Sequence, residues 1–155
     1  MQKSHNQLKG EIRYAIRLCQ RTARLYRRIQ SVGVFLSILG GSATMSSLSG
    51  NLPHWVTITG GITLAIAGAG LIAIRPADKA SQNELDIRRY QAVMTKANDL
   101  TTESLEKALE EAHQGDAPEI EALREVAYND VVIELNRSDC LVNLTPFQRL
   151  LSTIA

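Results

Sequence analysis

Arg13, Arg17, Arg21, Arg24 and Arg28 are spaced by 4, 4, 3 and 4 residues. On a helix turning roughly 100° per residue they share one face about 80° wide. Guanidinium groups grip phosphate bidentately, so this row is a candidate site for an anionic ligand, a nucleotide or an oligonucleotide, together with Arg88 and Arg89. Two other uses of the row stay open. The arginines can rest on lipid phosphates, or they can pair with acidic residues later in the chain. No Gly-rich phosphate loop and no aromatic stacking platform accompanies them to decide the matter.

Other reactive side chains form no constellation. His5, His54 and His113 are isolated, and Cys19 and Cys140 lack the CxxC spacing of a redox or zinc site. HExxH, GxSxG and P-loop motifs are absent. Glu110-Glu111 and Glu119/Glu121 read as solvated acidic faces rather than catalytic pairs. The expectation is a chain with no catalytic residue, metal or cofactor, and not an enzyme.

The elements that position the arginines are set by a gap in charge. From Ile29 to Ile74, 46 consecutive residues contain no Lys, Arg, Asp or Glu, in a protein that is 21% charged. The gap divides at Gly50-Asn51-Leu52-Pro53-His54, where the turn formers lie and Pro53 lacks the N–H of a continuing helix. On either side is an uncharged stretch of about 18–20 residues, the length a helix needs to cross ~30 Å of hydrocarbon. The expectation is a transmembrane hairpin over residues 31–74, with spans at 31–48 and 55–74 and an external turn at 49–54. The second span is rich in Ile and bounded by Trp55 and Arg75, an interfacial ring and a closing charge. The first is rich in Ser and Gly. A buried helical pair in a soluble bundle is the competing reading.

Charge orients the hairpin. Residues 1–28 hold eight basic side chains and one acid, a net +7, and Arg75 and Lys79 follow the second span. Residues 75–155 hold nine basic and fifteen acidic side chains, a net −6. Positive residues stay inside, so both termini are expected in the cytoplasm, with the turn outside.

Within the first span, Gly33, Ser37, Gly40, Gly41, Thr44 and Ser47 share about a third of the circumference. Such a small, weakly polar stripe allows close helix packing. In an oligomer it can instead line a pore, with Ser37, Gly40, Gly41, Thr44 and Ser47 offering hydroxyls and backbone to water and ions. On the second span, Thr57, Gly61, Ala65 and Gly68 form a small surface suited to packing. No acid or base lies in either span, which argues against a proton relay, an ion-coupled transporter or a voltage sensor.

Before the spans, residues 1–30 read as a basic amphipathic helix, with Ile12, Ile16, Cys19, Ala23 and Tyr26 opposite the arginines. After them, residues 75–155 read as a cytoplasmic helical region. Pro76 and Asp78 start a helix expected to continue the second span as a stalk from Lys79 to His113, weakest at Thr101-Thr102. Gln114-Gly115 stops it. Asp116 and Pro118 are expected to restart a helix burying Ile120, Leu123, Val126, Ala127, Val131 and Leu135. A turn over 136–143 precedes a short helix capped by Thr145-Pro146, with Phe147, Leu150, Leu151 and Ile154 apolar. The fold class is all-α: a membrane hairpin, a basic amphipathic helix before it and a cytoplasmic bundle after it.

This order, with the Arg-rich entry Arg24-Leu25-Tyr26-Arg27-Arg28, resembles the SLATT family of two-transmembrane proteins in bacterial conflict systems. The resemblance implies a membrane effector that opens pores, depolarises the bacterial inner membrane and arrests growth in antiviral defence. It also implies a partner nucleotidyltransferase or its nucleotide product. One hairpin encloses no conduit, so a homo-oligomer, a tetramer or larger, is expected. The alternatives are a phage holin-like lysis protein and a non-conducting membrane scaffold for a cytoplasmic partner.

Overall fold

The computed structural model describes residues 3–48, 50 and 53–155. Every regular element among them is helical: α1 His5–Leu48, α2 His54–Ile74, α3 Pro76–Lys96, α4 Thr102–His113, α5 Arg124–Glu134 and α6 Pro146–Ile154, with single 3-10 turns at Glu121–Leu123 and Ser138–Cys140. Of the expected turn 49–54, Ser49, Asn51 and Leu52 lie outside the described residues. The chain divides into two compact units, Met1–Leu25 with Lys79–Ala155, and Tyr26–Asp78. The first is called here the bundle and the second the apolar pair.

Helix starts follow local chemistry. Ser4 accepts from the Gln7 N–H at 3.3 Å while Gln7 Oε1 accepts from the Ser4 N–H at 2.7 Å, a capping box that opens α1. Thr145 and Gln148 make the same reciprocal pair at α6. Thr101 caps α4 by accepting from the Ser104 N–H. The basic arm and the first apolar stretch are one uninterrupted helix of 44 residues.

Three sequence expectations are corrected. The second apolar helix and the helix after it are not one unbroken element, because Arg75 takes a left-handed conformation, φ 49°, and its N–H closes on Leu71 O. Pro76, with no N–H to donate back, then begins α3. The run from Lys79 to His113 is also two helices: α3 ends at Lys96 and α4 begins after the Thr101 cap. Asp116 caps no helix. Its carboxylate is taken by the Tyr90 hydroxyl, and regular structure resumes only at Glu121.

The bundle has two apolar clusters, and α1 contributes to both. Leu8, Ile12, Ala15 and Cys19 pack with Tyr90 and Ala97 of α3 and with Leu105, Leu109 and Ala112 of α4. Leu18 and Leu25 pack with Leu123, Ala127 of α5 and Ala155. Full burial of each Leu or Ile is worth about 1.5–3 kcal/mol, so the arm is anchored by its apolar faces as a central core helix. Leu135, expected inside, is 45% exposed, because α5 ends at Glu134 and the chain turns at Asn136, φ 54°.

In the apolar pair, α1 and α2 run antiparallel. Gly33 lies against Leu71, Gly40 against Gly60 and Leu64, and Ser47 against Thr57. Each helix holds an 18-residue window long and apolar enough to cross a membrane, and only 6% of either window is buried. Phe35, Ile38, Ile58, Ile62, Ile66 and Ile72 point outward, a surface that hydrocarbon solvates and water does not.

Candidate functional site

The arm's arginines meet α5 as a ladder. Arg17 donates to Glu134 Oε2 from Nη2 at 2.8 Å and from Nε at 3.2 Å. One turn on, Arg21 forks onto Asp130, at 2.8 Å from Nε and 2.9 Å from Nη2. Partners four residues apart on each helix, in opposite order, lock α1 and α5 antiparallel. Arg21 goes further: its Nη1 donates to Ser152 O and Ala155 O, both at 2.8 Å. The guanidinium therefore sits at the carbonyl end of α6, where the helix dipole is negative. The Asp130 hydrogen bond raises the Arg21 pKa and holds its charge in place.

Six of the seven candidate ligand arginines, Arg13, Arg17, Arg21, Arg24, Arg88 and Arg89, belong to the bundle. Arg17 and Arg21 face α5 and α6. Arg89 donates to Asp86 Oδ1 at 3.0 Å and to Gly115 O at 3.1 Å. Among the described residues, Arg13, Arg24 and Arg88 enter no ion pair, and Arg24 and Arg88 are exposed. Arg28 belongs to the apolar pair.

The small stripe of α1 lies in the seam with α2. A Cβ on Gly40 would sit 2.6 Å from Gly60 O and 2.8 Å from Leu64 N. One on Gly60 would meet Gly40 O at 2.8 Å and Thr44 Oγ1 at 3.0 Å. The two backbones touch because neither residue has a side chain. Ser37 and Thr44 return their hydroxyls to the carbonyls four residues back, Gly33 O and Gly40 O, both at 2.9 Å. Thr57 donates to Ser47 across the seam. Gly41 stands at the edge, where a Cβ would meet nothing nearer than Leu64 Cδ2 at 4.0 Å. On α2 the contact residue is Gly60, not the expected Gly61; Cβ atoms on Gly61 and Gly68 would meet open space.

Sequence reasoning missed a polar junction on α3. Asp86, Arg89 and Tyr90 share a face and hold the turn after α4. Tyr90 donates to Asp116, the Ala117 N–H donates to Asp86 Oδ2 at 2.9 Å, and the His113 ring stands edge-on to Tyr90 with centroids 5.4 Å apart. The i, i+3, i+4 spacing of an acid, a base and a tyrosine facing a Gly-Asp turn was the available signal.

The two thiols differ in environment. Burial, reinforced by Asp116, Asp86 and Glu119, pushes the Cys19 thiol up to about 12. Cys140 is partly exposed beside Arg137. Since the thiolate is the nucleophile, a maleimide at pH 7.5 is expected to label Cys140 and leave Cys19 unmodified until the chain unfolds. Mass spectrometry of the labelled peptides checks this, and rapid native labelling of Cys19 would contradict the packing around it.

Comparisons of the chain with protein-family models, with curated proteins and with solved structures give no match.

Proposed function

We propose that this chain is a two-span membrane effector that assembles into a regulated homo-oligomeric pore, with both termini in the bacterial cytoplasm. The observation that carries the reading is the pairing of two adjacent apolar helices, almost wholly unburied, with a separately packed polar bundle. Such an outer surface needs lipid, and such a bundle provides a place for control. In the single chain Gly40, Thr44 and Ser47 of the stripe are closed against α2, with Gly41 at the edge, which corresponds to a resting state. Conduction requires that this seam loosen, or that its Gly41 edge turn toward a lumen shared by several copies. The signal is a nucleotide-derived anion, as the SLATT resemblance implies, and antiviral growth arrest is its outcome. To reach Arg17 and Arg21 the anion must displace Glu134 and Asp130, so binding and loosening of the bundle are one event. Arg13, Arg24 and Arg88 offer charge without that exchange.

A second reading has its own observation. The polar stripe is consumed by packing inside one chain, as in a non-conducting scaffold that tethers a partner. Ion flux from liposomes separates the two. The pore reading expects flux from the wild type with added nucleotides or short oligonucleotides, and its loss in Gly41→Leu, which fills the seam's edge without prying the backbones apart. Absence of flux under every ligand, or flux indifferent to Gly41→Leu, sinks the pore and leaves the scaffold.

A further inference from the structure

We propose that the junction between α3 and the 113–117 turn is a proton-operated latch, which grips the turn more tightly when Asp116 is protonated. The inference stands apart from the pore reading and rests on the bundle alone. Asp116 Oδ2 accepts from the Tyr90 hydroxyl, while its Oδ1 is buried and accepts from no protein group among the described residues. A buried carboxylate oxygen to which no protein group donates is a poor place for negative charge and a good place for a proton.

The surroundings sharpen the effect. Asp86, 2% exposed, holds the next backbone N–H, that of Ala117, so a second carboxylate serves the same turn. Its own charge is partly answered by Arg89, which also holds Gly115 O. Gly115 allows this approach, since a Cβ there would lie 2.5 Å from Arg89 Nη1. The groups that act on Asp116 are Asp86 and Tyr90 from α3, His113 from the end of α4, and Glu119 beyond the turn. Cys19 of α1 lies within electrostatic reach of Asp116 as a neutral thiol.

Burial raises the Asp116 pKa most. The Tyr90 hydrogen bond and His113 pull it down, and Asp86 and Glu119 push it up. The net shift is upward from 3.8. A raised folded-state value means that the stabilisation is fully present below 3.8 and is lost as pH rises through the folded value. The latch is therefore tight in acid and slack toward neutrality. Because α3 begins at Pro76, one residue after α2 ends, a proton taken up here acts on the helix that follows the second apolar span in the chain.

The test uses the full chain in detergent micelles and reads amide hydrogen exchange at Ala117, corrected for intrinsic rates. The wild type is expected to slow severalfold between pH 7.5 and pH 3.5, a window that runs from below 3.8 up through the raised folded value. Asp116→Asn, neutral at every pH, is expected to be slow throughout, with the dependence gone. His113→Gln is expected to keep the dependence. A wild type with no pH dependence overturns the latch. So does a dependence that survives in Asp116→Asn, or one that disappears in His113→Gln, which would assign the effect to the imidazole.

Discussion

Gly40→Leu is expected to separate α1 from α2. Its Cβ alone would enter the van der Waals space of Gly60 O and Leu64 N, both backbone atoms that cannot swing aside. Overpacking of this kind costs about 3 kcal/mol or more, since relief requires the helices themselves to move apart. Separation also breaks the hydroxyl contact of Thr57 with Ser47. The expected result is unfolding of the apolar pair at lower denaturant in detergent, followed by circular dichroism, while the bundle's transition stays in place. Gly61→Ala is the control. Its Cβ meets open space, and replacing a mid-helix glycine with alanine should be neutral or gain up to about 1 kcal/mol. Equal tolerance of Gly40→Leu and Gly61→Ala would show that the Gly40–Gly60 contact does not hold the two helices together. Under the pore reading Gly40→Leu has a second consequence. If the seam is the resting closure, the variant should leak ions without any ligand, whereas a scaffold should stay tight.

The second large effect is at Arg21. Arg21→Ala removes the fork onto Asp130 and both donors to the end of α6. The pair is only partly exposed, with side chains at 18% and 25%, so solvent screens it less than a surface ion pair. Leaving Asp130 and two α6 carbonyls without this donor is expected to cost about 2–4 kcal/mol. The loss should fall on α6 first. That helix is nine residues long, shorter than an isolated helix can sustain in water, and it depends on docking against Leu18, Leu25, Leu123 and Ala127. Protease cleavage and amide exchange should therefore rise across residues 146–155 while α3 and α4 remain protected. Arg21→Lys is expected to recover only part of the effect, because an ammonium cannot fork onto a carboxylate and cap a helix end together. Unchanged protection of α6 in Arg21→Ala would show that apolar docking alone suffices.

The ladder bears on regulation as well. Arg17 and Arg21 were candidates for an incoming phosphate because of their spacing, and the same spacing matches Glu134 and Asp130 on α5. Under the proposed function, an incoming anion would compete with this acidic pair for the same forks, and winning them would loosen the clamp on α6.

Local patterns in the chain were enough to define the helical class and where several helices begin, though not the break between α3 and α4 or the start of α5. Uncharged length sets the two apolar helices, and the Ser4, Thr101 and Thr145 caps are written within three or four residues of each start. These features depend on neighbours along one helix, where propensity, capping and period act. The sequence also contained the arginine row and the small stripe, because helical period alone places residues on a face. What it left open was the partner of each face. Whether Arg21 meets lipid, ligand or Asp130 depends on α5 and α6 arriving from more than a hundred residues away. Whether Gly60 or Gly61 touches α1 is a matter of 100° of rotation, which close backbone packing decides and composition does not. Asp116 makes the same point at one residue. Beside Pro118 it has the local grammar of a helix cap, yet the buried hydroxyl of Tyr90 takes its carboxylate. A desolvated hydrogen bond supplied by the fold outweighs a capping preference worth about 1 kcal/mol.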